Sequence, residues 1–179
     1  VFISRIHEVK NLKFAVKVAA KVKNYKVVFD VYGPKESQDY WNECEEIGKN
    51  APSNVTLNYC RVLTPDEVGN TFKKYDCFLF PTINENYGHV IAESLANGCP
   101  VILSKGTTPW DDLDNVAGYV CDLRDEDAFV AAIGKIAVLD KQAFGELSNN
   151  TIEYYKRKVI EDGAVKGHKE MFRHLTEQK

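Results

Sequence analysis

No apolar run among the 179 residues approaches the roughly 20 needed to cross a bilayer, and the first residues carry no signal-peptide pattern. The expectation is a soluble chain in a cytoplasmic setting. Cysteine is scattered: Cys44, Cys60, Cys77, Cys99 and Cys121 stand singly, which excludes a CxxC metal pair and an even disulfide framework and points to reduced core thiols. No His, Cys or acid cluster has metal-ligand spacing, so no bound metal and no cofactor is expected. Positive charge is not in excess. A formal net charge of -3 argues against non-specific nucleic-acid binding. Repeats and low-complexity tracts are missing, and no G-x-G-x-x-G follows the first β-branched run, which disfavours a dinucleotide-dependent dehydrogenase.

What is present suits one globular domain with a core, at 44% hydrophobic and 27% charged residues. Residues 1–4 and 26–32 read as strands, and Leu12, Val16, Ala19, Ala20 and Lys23 between them fall at helical spacing. The alternation continues with a helix over 37–50, a strand over 55–59 and a helix opened by Thr64-Pro65-Asp66-Glu67. Next come an apolar strand over 76–81, a helix over 88–97, and strands over 100–104 and 118–120. Helical patterns fill 125–139 and most of 142–175. The pattern predicts an α/β fold, a Rossmann-like doubly wound parallel sheet flanked by helices, occupying 1–179 with 142–179 as terminal helices. Ligands of such a fold sit at the carboxyl ends of the strands. The chain enters directly on a strand, so a fragment cut at a domain boundary is expected.

The informative stretch runs from Pro81 to Val101. A buried strand, a loop and a helix start in succession bring free backbone N–H groups and the positive helix end together as an anion site, which Gly88 lets a ligand approach closely. Glu85 lies in the loop, and Glu93 lies between one and two turns into the helix. Beside an already anionic diphosphate, carboxylates serve as hydrogen-bond acceptors for neutral hydroxyls such as those of sugars and ribose. Either acid alone would more often be a helix-start charge or a solvated residue.

Together, Glu85 and Glu93 with Tyr87-Gly88 between them resemble the E-x7-E signature of GT-B glycosyltransferases, especially the retaining enzymes of family 4. The following Ala96-Asn97-Gly98-Cys99-Pro100-Val101 is similar to that family's A-x-G-x-P-V run, and Ser4-Arg5-Ile6-His7-Glu8-Val9-Lys10-Asn11 looks like its G-R-L-x-x-x-K-G segment. Tyr32-Gly33-Pro34 and Tyr75 to Pro81 extend the likeness over essentially the whole chain. The resemblance implies the C-terminal, donor-binding half of a GT-B fold, with a nucleoside-diphosphate sugar as substrate and the acceptor-binding N-terminal domain outside this chain. It assigns Glu93 to ribose hydroxyls, and Glu85 with Asn86, Tyr87 and Gly88 to the donor sugar. Arg5 and Lys10 fall to the leaving diphosphate, and Gly33 to the donor pocket. It further implies transfer of a sugar to a growing glycan or lipid, as in polysaccharide biosynthesis, and peripheral membrane association of a full-length enzyme. Ser4 stands where the family has Gly, only Gly33 remains of a G-x-G pair, Arg61 replaces a Gly near the base pocket, and Trp110-Asp111 replaces a Pro-Glu stretch.

His89 is expected on the surface, His7 near the diphosphate, and His168 and His174 solvated. The charged run over 153–158 reads as a wet helix face, with a basic face for a membrane or a missing domain as the alternative. Two other functional classes remain open: an epimerase or hydrolase of the same architecture, which would need an acid/base group near the sugar, and a non-catalytic nucleotide-sugar-binding module.

Overall fold

The structure is a computed structural model, and it describes residues 1–161. The readings of His168, His174 and the rest of the expected terminal helices lie outside the described residues. Strands β1 (Phe2–Ile3), β2 (Val27–Tyr32) and β3 (Val55–Tyr59) alternate with helices α1 (Leu12–Lys21), α2 (Gln38–Lys49) and α3 (Pro65–Phe72). Then β4 (Phe78–Phe80), α4 (His89–Ala96), β5 (Val101–Ser104), β6 (Gly118–Cys121), α5 (Glu126–Ala137) and α6 (Lys141–Tyr155) follow. Side chains start four of the six described α-helices, α2, α3, α5 and α6. Ser37 accepts from Tyr40 N, Asp125 from Ala128 N, Asp140 from Ala143 N, and Thr64 with Glu67 forms a capping box behind Pro65. After Tyr155 the chain does not continue as an α-helix: Lys156–Glu161 adopt π geometry, which widens the turn.

All strand pairs are parallel, in two sheets ordered β1-β2-β3 and β4-β5-β6. The sheets meet along β1 and β4, where Val1 N donates to Cys77 O at 2.8 Å and Leu79 N donates to Val1 O at 3.0 Å. Side by side, the six strands therefore run β3-β2-β1-β4-β5-β6. Strand order reverses between β1 and β4, and the crevice outside their carboxyl ends is where ligands of doubly wound sheets bind.

The core gathers at this seam. Every residue of β4 and β5 is buried, and Phe78 stacks on Phe80 with ring centroids 5.0 Å apart while meeting Phe72 of α3 at 5.2 Å. Each such side chain contributes about 2 kcal/mol on burial, so the centre of the sheet is its most firmly held part. The far edge is different. Val28, Thr56 and Asn58 on one face of β2 and β3 are exposed. Cys60, at the end of β3, is also exposed, which corrects the expectation that all five thiols are core residues. Burial raises the Cys44 and Cys99 thiols to about 12, consistent with unreactive interior cysteines.

Candidate functional site

Three loops leaving the carboxyl ends of β1, β4 and β5 are laced together at the switch point. The loop after β1 closes a short 3-10 turn, Glu8–Lys10, in which His7 Nδ1 accepts from Val9 N at 3.2 Å. His7 thus caps the turn. The same segment is tied to the loop after β4: Thr82 Oγ1 and Ile83 N both donate to Val9 O, at 3.1 and 2.9 Å, and Asn11 Nδ2 donates to Pro81 O at 2.9 Å. On the other side the loop after β5 takes over. Glu85 N donates to Thr107 O at 2.9 Å, Ser104 Oγ donates to Thr82 O, and Trp110 Nε1 donates to Tyr87 O. Thr82, Ser104, Thr107 and Trp110 were not among the sequence candidates. Thr82, Ser104 and Thr107 showed only a hydroxyl at or just beyond an apolar run, and Trp110 stood out only as part of a departure from the family's Pro-Glu stretch.

The predicted charged residues separate into three situations. Lys10 Nζ donates to Glu85 Oε2, and with side-chain exposures of only 13% and 20% this pair is held in place. Arg5 turns to Glu36 at 2.8 Å but stays largely exposed, so that contact is weak and easily exchanged. Glu93 is unpaired among the described residues. Although the residue is exposed overall, partial burial of its carboxyl group pushes its pKa up, and the nearby His89 works in the opposite direction. A partly desolvated carboxylate without a donor is an available acceptor.

The glycines shape the floor. Gly88 has φ +78 and precedes α4 without a side-chain cap, and a Cβ there would stand 2.6 Å from Ile91 Cδ1 and 3.2 Å from Glu85 Cγ. Among the described residues, none of the backbone amides of Asn86, Tyr87, Gly88, His89 and Val90 donates to a backbone carbonyl, so the helix start offers several N–H groups at one place. Gly33 has φ +137, and a Cβ on it would lie 1.9 Å from Ser4 O, so only glycine lets β2 pass this closely beneath the loop after β1. Asn86 and Tyr87 are exposed, and Tyr87 rests between His89 and Trp110 at centroid distances of 4.9 and 5.5 Å. His89 is exposed as expected. Lys158, expected on a wet helix face, is instead folded back over Trp110.

Among the described residues no three His, Cys, Asp or Glu side chains are placed to hold a metal, and no helix is long and apolar enough to cross a membrane.

A family model described as "Glycosyl transferases group 1" matches residues 1–158. EpsF of Bacillus subtilis, named as a candidate glycosyltransferase, is 30% identical over 111 residues, which make up 59% of this chain and 27% of EpsF. Among solved structures, HepE of Anabaena in complex with UDP and glucose superposes with a TM-score of 0.79 at 16% identity, covering 98% of this chain and 47% of HepE. A glycosyltransferase of Rickettsia africae gives 0.82 at 15% identity, over 99% of this chain and 48% of that one. The C-terminal domain of LpcC from Francisella tularensis, a group 1 family glycosyl transferase, gives 0.70 at 18%, over 88% of this chain and 84% of that domain. These likenesses establish the Rossmann-like fold of a GT-B C-terminal domain. The chain spans about a quarter of EpsF and about half of HepE.

Proposed function

The chain belongs to the group 1 glycosyl transferases, and from that premise we propose that the crevice between β1 and β4 binds a nucleoside-diphosphate sugar for transfer to an acceptor. The observation that carries this reading is the meeting, at the switch point, of open amides at the start of α4, the unpaired Glu93 and the fixed Lys10–Glu85 pair. The amides suit the diphosphate, and Glu93 suits neutral ribose hydroxyls. Glu85, already oriented by Lys10, suits donor-sugar hydroxyls. Arg5 and Lys10 stand at the edge where negative charge develops as the sugar–phosphate bond breaks, and cations there lower the barrier. In a retaining reaction the acceptor oxygen attacks the anomeric carbon from the face the diphosphate leaves, and the leaving phosphate takes the acceptor proton. A growing glycan or lipid is the acceptor this reading favours, with the full-length enzyme at the inner face of a membrane. HepE has been determined in complex with UDP-glucose, which makes a UDP-sugar the first donor to try.

Because Asn86, Tyr87 and Glu93 are exposed, the described site lacks a second wall to place an acceptor, and these residues alone are expected to bind donor and transfer slowly. The deciding experiment is a thermal-shift panel of UDP-glucose, GDP-mannose and ADP-glucose. A donor at a hundred times its Kd stabilises the fold by about 2.7 kcal/mol, and a panel in which nothing raises the Tm rejects the reading.

A further inference from the structure

Trp110 is where the π-helical turn after α6 meets the acidic loop. Its side chain is 1% exposed, its Nε1–H donates to the Tyr87 carbonyl, and its ring lies edge-on to Tyr87. On its outer side Lys158 Nζ stands 5.1 Å from the ring centroid, within cation–π range, and Tyr154 lies 6.4 Å away. Lys158 also donates to Pro109 O at 2.8 Å and to Asp112 Oδ1, the same oxygen that accepts from Tyr154 Oη at 2.8 Å. Burial alone would push the Asp112 carboxyl up, but the bonds from Lys158 and Tyr154 outweigh it and hold the group below its usual range. Lys158 occupies the π-helical turn, not the regular α-helix before it.

The acidic loop has few anchors of its own. Glu85 N is tied to Thr107 O, and Gly88 O receives the first bonds of α4. Between those points, among the described residues, the Tyr87 carbonyl on Trp110 is the single hydrogen bond that holds the backbone.

Resting on the donor-binding reading above, we propose that Lys158 is a positioning residue for the acidic loop: it clamps Trp110 and Asp112 from outside, and Trp110 in turn fixes the backbone that carries Glu85 to Gly88. The side chain touches no part of the crevice described above and acts only through the indole. The sequence separation of 46 residues between Asp112 and Lys158 means that the π-helical turn after α6 is recruited to set a loop it does not adjoin.

The test is a double-mutant cycle on the full 179-residue chain, with Lys158→Met and Trp110→Phe alone and combined, read by calorimetry with UDP-glucose and by melting temperature. Lys158→Met keeps the stem and removes the donors. Misplacing a binding loop is expected to weaken UDP-glucose binding about tenfold in each single variant. The combined variant is expected to lose no more than the worse single one, because both act on one link. Lys158→Arg, which keeps charge and donors, is expected to restore most of the affinity. Should the parent bind UDP-glucose and Lys158→Met bind it equally well, or should the combined loss be the product of the two, about a hundredfold, the clamp is overturned while the donor reading stands. A parent that binds none of the UDP-, GDP- or ADP-sugars refutes the donor reading and the clamp with it. If Trp110→Phe does not fold, Asp112→Ala replaces it in the cycle. It removes a partner of Lys158 without opening the core, and unchanged affinity in that variant again overturns the clamp.

Discussion

Glu85 and Glu93 carry the same chemistry in different states, and the difference makes them separable by experiment. Glu93→Ala removes a free acceptor and is expected to weaken UDP binding about tenfold, the scale of one charge-assisted hydrogen bond. Glu85→Ala is expected to leave UDP affinity unchanged or to improve it, because it frees Lys10 from its carboxylate partner. Calorimetry with UDP decides the assignment, and equal losses in the two variants would reject it. Glu93 also predicts a pH dependence. Its folded-state pKa is raised, so it takes up a proton at a higher pH than an ordinary glutamate, and UDP affinity should begin to fall above the usual value of 4.5 as pH is lowered. The sign for stability is opposite: a raised carboxyl pKa opposes folding once the group is ionised, so Glu93→Gln should slightly raise the Tm at neutral pH and not below that window. A site residue that costs stability when empty is common where binding is selected over rigidity.

Among the secondary elements, α3 has a start that depends on a titrating side chain inside the helix, Glu67 of its capping box. The Arg61 guanidinium grips Glu67 at 2.7 and 2.8 Å while Thr64 donates to it, and these contacts hold its pKa at about 2, first through Arg61 and then through the Thr64 backbone. A depressed carboxyl pKa contributes stability above the unfolded value of 4.5, and that contribution is lost as pH falls toward 2. Glu67→Gln should therefore lower the urea midpoint at pH 7 and differ progressively less from the parent through that window. A gap that persists unchanged at pH 2 would contradict the assignment. The order of elements was legible in the sequence because apolar runs such as Cys77 to Phe80 and starts such as Thr64-Pro65 act locally. Contacts made across the fold were not. Lys10 and Glu85 could both be placed at strand ends, but nothing 75 residues apart announces that they pair. Cys60 was misread because an edge strand buries only one face, and Lys158 because a charged run hides which residue folds inward.

At the scale of the whole molecule, the proposed donor would bridge the two halves of the sheet. Arg5 and Lys10 come from the β1 half, Glu85 and Glu93 from the β4 half, and the backbone joins those halves through the Val1–Cys77, Leu79–Val1 and Ile83–Val9 hydrogen bonds. Packing holds this seam firmly, but its strand ladder is short, so it is where ties added by a ligand should show most in hydrogen exchange. A ligand gripping both sides then acts as a rivet. Hydrogen exchange at the Leu79 amide should slow on adding UDP-glucose by more than at the Leu103 amide, which lies inside the β4-β5-β6 sheet. Equal slowing at both would mean that the ligand stabilises the fold only globally. The consequence is that the donor would be a structural tie as well as a substrate: it would join, from the crevice side, two sheets that the strands themselves join along β1 and β4.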